Sequence, residues 1–457
     1  MLPLLWACAP DDPPLADDPP DAGEGEATGD DSAADTDTTP PASQPPPPLP
    51  SARRRVTDPM PQPWHPRGTP VACEGAILAA TAGHDAAEAL PADVHAAVEG
   101  ADPAPRQVHT GWTGDPATGI TLLWRTDADT LTTQVQLGEA AGAYTATVDG
   151  ASFLVEDADT APRVHEVRVC GLTWGTTWHY RVGGGNTWSE DFTFTTAPDP
   201  GSREPIVFGV AGDTRGDPTT WSQVLAGMAS HGVEFRLFTG DAVGTGARVD
   251  EWDDWFDAGA GYVESVPTIN AHGNHEYQAQ AYFALVGLPG NERWFSVDYG
   301  NVHFAFVDDE PAYEEDWQAQ AEWLAADLAA TTQPWKIVVH HQPGFSSSLV
   351  HATSADVLEW FVPVQEAGGV DVDFAGHNHH YERTVPIRDG AQDATGVTYV
   401  ITAGGGAPLY DNDAEEWYTD VAVVTEHYTI VRVDDDVLTL VAYDLAGNVL
   451  DTWVKQK

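Results

Sequence analysis

Between Gly119 and Thr196 apolar and polar residues alternate in short runs. GITLLWRT (119–126), TQVQL (133–137), HEVRVC (165–170), WHYRV (178–182) and DFTFTT (191–196) each read as a strand, because residues two apart share one face of a pleated strand. Glycine, aspartate and asparagine separate the runs at turn spacing. The pattern predicts a small all-β sandwich over residues 105–198, with Trp124 and Tyr180 as core aromatics. Past Pro205 the pattern changes. PIVFGVA (205–211) is continuously apolar, as expected of a strand covered on both faces. A helix-length segment follows at 219–231, then strands at 234–239, 266–271, 336–340 and 370–374, with amphipathic helical patterns such as EDWQAQAEWLAADL (315–328) between them. Strands alternating with helices predict an α/β sandwich. WFSVDYGNVHFAFVD (294–308) reads as a hairpin turning at Tyr299–Asn301, and three strand-like runs between Tyr428 and Val454 complete a sheet.

Length and charge narrow the picture. A chain of 457 residues holds about two or three domains. Lys plus Arg is 20 and Asp plus Glu is 71, so the formal charge is 20 − 71 = −51. That balance argues against nucleic-acid or anionic-membrane binding through a basic patch. An anionic substrate must then be met by local positive charge, from metal ions or a few arginines. The first fifty residues contain no Lys or Arg and are dominated by Asp, Pro, Ala, Thr and Ser, so residues 9–60 read as a disordered tether, and 61–104 as a linker with a short helical segment. Ahead of the tether, MLPLLWAC resembles a bacterial lipobox with Cys8 as the lipidated residue, although it lacks a basic n-region and its apolar stretch is short. The expectation is an exported protein, extracellular or lipid-anchored to the cell envelope through Cys8. Cys73 and Cys170 then form an even pair, either a disulfide or two buried thiols.

Chemistry concentrates where the strands of the second half end. They run into GDTRG (Asp213), GDAV (Asp241), GNHE (Asn274, His275), VVHHQP (His341) and GHNHHYER (His377, His379, His380). Ligands bind outside the carboxyl ends of strands in open α/β folds, so these tips should converge. Glycine before the polar residue permits a tight turn and close backbone approach. If the chain leaves the strand extended at GHNHHYER, His377 and His379 share a face and are the ligands, while His380 is a supporting or surface residue. His340 reads as inward-facing structure. Carboxylate, amide and imidazole without thiolate suit Zn, Mn or Fe. Six ligands are too many for one tetrahedral zinc and suit two ions about 3.5–4 Å apart with a bridging carboxylate.

The ordered set GD…GD…GNHE…H…GHxH resembles the calcineurin-like metallophosphoesterase superfamily. GHNHHYER and VVHH resemble the purple acid phosphatases in particular, and GLTWGTTWHYRVG (171–183) resembles their fibronectin type III-like N-terminal domain. The resemblance covers about residues 105–457. It implies a multi-domain α+β and α/β chain: a fibronectin type III-like β-sandwich over 105–198, then a four-layer α/β/β/α metallophosphoesterase sandwich over 204–457. By position, Asp213 and His379 would hold a first metal, Asn274, His341 and His377 a second, and Asp241 would bridge them. His275, oriented by a neighbouring carboxylate, would bind phosphate or protonate the leaving group. His351, ten residues after His341, matches a further active-site histidine, or lies in a surface loop. Two departures stand out. The GDxxY tyrosine that binds iron in purple acid phosphatases is Gly244 here, and Arg215 stands where the wider superfamily has the histidine of DxH. The first metal is then one protein ligand short, and Arg215 is either a phosphate-binding arm or a structural ion pair. The implied activity is hydrolysis of a phosphate monoester by a metal-bound hydroxide, with divalent or trivalent Fe, Zn or Mn and a small-molecule phosphate ester as substrate. The alternatives are a phosphodiesterase or nucleotidase using the same metals, and an inactive cell-surface binding module.

Overall fold

The computed structural model describes residues 70–73, 92–155, 162–310, 314–412 and 416–457. The lipobox-like start and the acidic tether lie outside the described residues. Two β-sheets with strand ladders at Arg106–Gly111, Gly119–Thr126, Arg163–Cys170 and at Gln134–Gly138, Thr177–Gly184, Phe192–Thr195 form the N-terminal sandwich. Trp124 and Tyr180 are buried in it, as their alternating register requires. The segment expected to be a linker contributes to this sandwich instead. Val71–Ala72 pairs with Val169 and Cys170, and Asp93–Val94 pairs with Ala151 and Ser152. Two-residue strands carry too little periodicity to be read from sequence. Most of that segment, residues 61–69 and 74–91, where the short helix was expected in part, lies outside the described residues. Cys73 and Cys170 are joined in a disulfide.

The C-terminal half is built on two mixed sheets. The first has the order Thr268–Asn270, Phe235–Phe238, Ile206–Ala211, His427–Asp434, Val437–Asp444, Val449–Gln456. The second runs Phe295–Tyr299, Val302–Phe306, Trp335–Val339, Val372–Ala375, Thr398–Thr402, Tyr381–Thr384, Thr419–Val423. Period-two alternation explains the layers. Phe304, Ile337 and Val339 face the first sheet, where Phe304 meets Phe208 and Phe235 at ring distances of 5.3 and 5.4 Å. Ala305 and Val338 face outward and pack with Leu324, Leu328 and Phe361 of the helices over that side. Helix Pro218–Ser230 covers the first sheet through Trp221, Val224, Leu225 and Met228, one apolar stripe at i, i+3, i+4, i+7. Its start is fixed by Asp217, whose carboxylate accepts from the Thr219 and Thr220 N–H groups. The result is the four-layer α/β/β/α arrangement.

The sandwich docks on the C-terminal half through shared core. Trp112 sits between Phe235 and Tyr299 at 5.3 and 5.5 Å, and the Tyr180 hydroxyl donates to the Glu264 carbonyl at 2.7 Å.

One buried histidine of the hairpin has a consequence for stability. His303 lies between Asp298 and Asp327, each 2.7 Å from a ring nitrogen. Burial opposes its charge, but the two carboxylates outweigh it and raise its pKa to about 9. A raised folded pKa stabilises fully below the unfolded value, about 6.5, and the contribution fades as pH rises to 9. We therefore expect His303→Gln to cost about 2 kcal/mol of unfolding free energy at pH 6 and clearly less at pH 9.5. Denaturation at the two pH values is the measurement. An equal cost at both would show that packing, not the charge, is responsible.

Candidate metal centre

Every candidate ligand follows a strand that ends at one edge of the two-sheet core. Asp213, Asp241 and Asn274 come from the first sheet, and His341, His377 and His379 from the second. Three of them leave their strands in the left-handed region, with φ of 57° at Asp213, 59° at Asp241 and 65° at His377. Side-chain-bearing residues are rare there and concentrate at functional sites. The preceding glycines are required by space. A Cβ on Gly376 would sit 2.5 Å from an Asp213 carboxylate oxygen, and one on Gly240 2.6 Å from His341 Nδ1.

Backbone carbonyls aim the imidazoles. His341 donates from Nδ1 to the Thr239 carbonyl (2.8 Å), which turns Nε2 toward Asn274 Oδ1 (3.0 Å) and Asp241 Oδ1 (3.3 Å). His379 donates from Nδ1 to the Pro408 carbonyl (2.5 Å), leaving Nε2 3.4 Å from Asp213 Oδ1. His377 presents Nδ1 to Asn274 Oδ1 at 3.1 Å. Anchoring one ring nitrogen so that the other points at a metal is the usual way a protein fixes the tautomer of a ligand histidine.

Lone pair therefore faces lone pair, and such a contact calls for a cation between the two. Without a metal, a proton fills that role at His341. Burial opposes the charge, yet Asp241, Asp213 and Asp309 push its pKa well up. Asp241 shows the counterpart: burial would raise it, but His341 and His275 hold it well down and ionised. His377 is driven the other way, by burial and by its neighbours His341 and His351, which favours the neutral form that binds metal. Donor atoms of Asp213, Asp241 and His379 lie within 4.8 Å of one another. Asp241 also faces the His341–Asn274–His377 group, so the residues fit two cations sharing one carboxylate. The donor set is oxygen and nitrogen only, the chemistry of Zn, Mn or Fe.

The other candidates gather here as well. Arg215 Nε stands 3.6 Å from Asp241 Oδ2. The His351 ring lies 4.4 Å from that of His377. His275 Nε2 points at Asp241 Oδ2 from 4.0 Å. Its expected carboxylate orienter is not what the fold provides: Nδ1 donates to the Gly244 carbonyl at 2.8 Å. A backbone carbonyl takes that role.

GHNHHYER obeys the alternation expected of it by a different route. The chain is bent, not extended, with the N–H of Asn378 on the Gly376 carbonyl (2.7 Å) and that of His380 on the Asn378 carbonyl (2.6 Å). Successive tight turns preserve the two-residue period. His377 and His379 face the centre, while Asn378 reaches Ser346 (2.8 Å) and His380 reaches Glu382 (3.0 Å). His380 is buried, so its role is support, not surface. His340 is likewise buried, clamped by Asp309 (2.7 Å) and Asp373 (2.9 Å).

Two family models match the chain: "Purple acid Phosphatase, N-terminal domain" over residues 105–196 and "Calcineurin-like phosphoesterase" over residues 206–381. The chain is a calcineurin-like, purple acid phosphatase-like metallophosphoesterase. It is similar to purple acid phosphatase 18 of Arabidopsis thaliana, 26% identical over 68% of this chain and 75% of that protein. It is also similar to the phosphoenolpyruvate phosphatase of Allium cepa, 24% identical over 69% of each. Among solved structures, a purple acid phosphatase from Lupinus luteus seeds shares the fold, with a TM-score of 0.66 and 19% identity over 78% of this chain and 74% of that one. The chain is thus a metal-dependent phosphohydrolase.

Three parts of this metallophosphoesterase's centre escaped the sequence pattern. Glu276 is buried, and its carboxylate accepts from the N–H groups of Asp241 (3.1 Å), Ala242 (2.8 Å) and Gly273 (2.7 Å), tying two ligand loops together. Its place in GNHE was the only hint. Asp309 accepts from the His341 N–H at 3.1 Å. The loop after strand Thr398–Thr402 supplies Pro408 and then Tyr410, whose ring stacks on His379 at 3.9 Å. Its signal was a fifth strand-then-glycine pattern, ITAGGG, without a polar ligand to flag it.

Proposed function

We propose that the chain hydrolyses phosphate monoesters at a binuclear centre, with Asp213 and His379 holding one metal, Asn274, His341 and His377 the other, and Asp241 shared. The observation that supports this reading best is the position of Asp241 between two separate donor groups. When bound, a metal pair lowers the pKa of a water and neutralises charge on the phosphoryl oxygens. The side chains supply the rest. Arg215 is placed to bind a phosphoryl oxygen with its planar fork. His275, its Nδ1 fixed on Gly244, has Nε2 available to hand a proton to the leaving oxygen. His351 stands beside His377, its ring 4.4 Å away.

Gly244 offers no phenolate at the GDxxY position, so the iron-loaded protein should be colourless. The test is to strip the metal and add back Mn, Zn, Fe, Mg or Ca singly, assaying an aryl phosphomonoester beside an aryl phosphodiester. Metal-dependent turnover favouring the monoester is expected. A clear diester preference would establish the phosphodiesterase reading, and no turnover with any metal in a folded protein would leave the binding module.

Export is the proposed location. A Cys73–Cys170 disulfide suits an oxidising compartment, and among the described residues no helix is long and apolar enough to cross a membrane. Lipid anchoring rests on the LWAC motif alone, and fatty-acid labelling that disappears in Cys8→Ser is its check.

A further inference from the structure

Exposed apolar side chains stand on the loops beside the centre, in a protein that is strongly acidic as a whole. Leu349 and Val350, just before His351, are 66% and 49% exposed, and Trp417 is 53% exposed. Their loops are stitched together: the Leu349 N–H donates to the Asp411 carbonyl (3.0 Å), Ser348 bridges to Asn412, and the Tyr418 hydroxyl donates to the Ser346 carbonyl (2.8 Å). Tyr410, from the same stitched loops, stands against His379 at 3.9 Å and His351 at 5.3 Å, so the loops that carry the exposed apolar residues reach the metal-binding side chains. Single exposed apolar residues mean little, but a contiguous set bordering a reactive site marks a binding surface.

Charge is distributed in the opposite sense. Arg215, 3.6 Å from Asp241, brings positive charge to the centre. Each of the other lysines and arginines from 203 to 457 is engaged with a carboxylate or a backbone carbonyl away from the ligands. With a formal charge of −51 around it, the site has, among the described residues, one arginine, with its metals, to receive anionic charge. A second phosphoryl group would find no partner and would be repelled.

We propose that this centre selects esters carrying a single phosphoryl group on a bulky, uncharged, apolar or aromatic alcohol, which lies on the Leu349–Val350–Tyr410–Trp417 rim. The assignment rests on the phosphoesterase reading above for the phosphoryl end and adds the identity of the leaving group. Polyphosphorylated substrates are disfavoured by the same geometry.

The test separates the two readings by measuring binding as well as turnover. Calorimetry on the full metal-loaded chain would compare 1-naphthylphosphonate, phenylphosphonate and benzene-1,4-diphosphonate, alongside turnover of naphthyl and phenyl phosphate. The naphthyl compound should bind about tenfold tighter than the phenyl one, as half-burial of a second ring implies, and with a more negative heat-capacity change. The diphosphonate should bind more weakly than phenylphosphonate. In Leu349→Ser/Val350→Ser, two exposed positions, the naphthyl-to-phenyl ratio should fall toward one, through KM in the turnover assay. Equal affinities for the two rings, a ratio unchanged in the variant, or tighter binding of the diphosphonate would each overturn the inference. Selective binding without turnover would instead refute the hydrolase reading and leave the rim assignment standing.

Discussion

Asp241→Asn should abolish most turnover and lower the bound metal from two ions toward one. The substitution keeps the shape of a side chain that is buried and held by the His275 N–H at 3.0 Å, so the fold should survive. What it removes is the charge that faces both donor groups. Asp241 is ionised against the cost of burial because His341 and His275 outweigh that cost. An amide cannot bridge two cations with comparable strength. Lewis-acid stabilisation of a phosphoryl transition state is worth several kcal/mol, so kcat should drop by about 10³-fold or more. Elemental analysis beside steady-state kinetics is the measurement. Full activity with two ions still bound would show that another residue is the shared ligand.

The second large effect is expected at Glu276, which touches no proposed metal. Its carboxylate caps three N–H groups, those of Asp241, Ala242 and Gly273, in a fully buried place. Glu276→Gln leaves the volume nearly unchanged but turns one acceptor oxygen into an NH₂ that faces donors. Hydrogen bonds to a charged acceptor contribute about 1.5–3 kcal/mol each, and a buried donor left unmet costs its desolvation. A loss of about 3 kcal/mol in unfolding free energy follows, with metal affinity weakened about 10–100-fold, as is typical when a supporting group behind a ligand is removed. Denaturant titration and a competitive chelator assay give the two numbers. An unchanged denaturation midpoint would mean that water re-satisfies the three N–H groups, and the tie between the two loops would then be weaker than its geometry implies.

The sequence was most legible where a residue's role is local. A polar residue after a glycine at the end of an apolar run announces a strand tip, and four of the six proposed ligands, Asp213, Asp241, Asn274 and His377, carried that signature. Their sharing of one edge followed from strand direction. The His377/His379 pairing was also legible, because any backbone path that preserves a two-residue period gives the same answer, extended or bent. Supporting roles were not legible. Thr239, Pro408 and Gly244 act through carbonyl oxygens, which every residue possesses, so side-chain identity says nothing about which carbonyl will aim an imidazole. Tyr410 and Leu349 become neighbours of the centre through loop pairing across 60 residues of chain, without a periodic signal.

Sequence by itself therefore determined the class of chemistry. Donor types, their order and the absence of sulfur depend on side-chain identity, and strand periodicity places each donor at a tip. Tertiary structure alone decided how those donors are used. Which ring nitrogen points inward, which carboxylate stands between two donor groups, and what surface meets the departing alcohol all depend on contacts between segments far apart in the chain, where distance and direction, not composition, set the interaction.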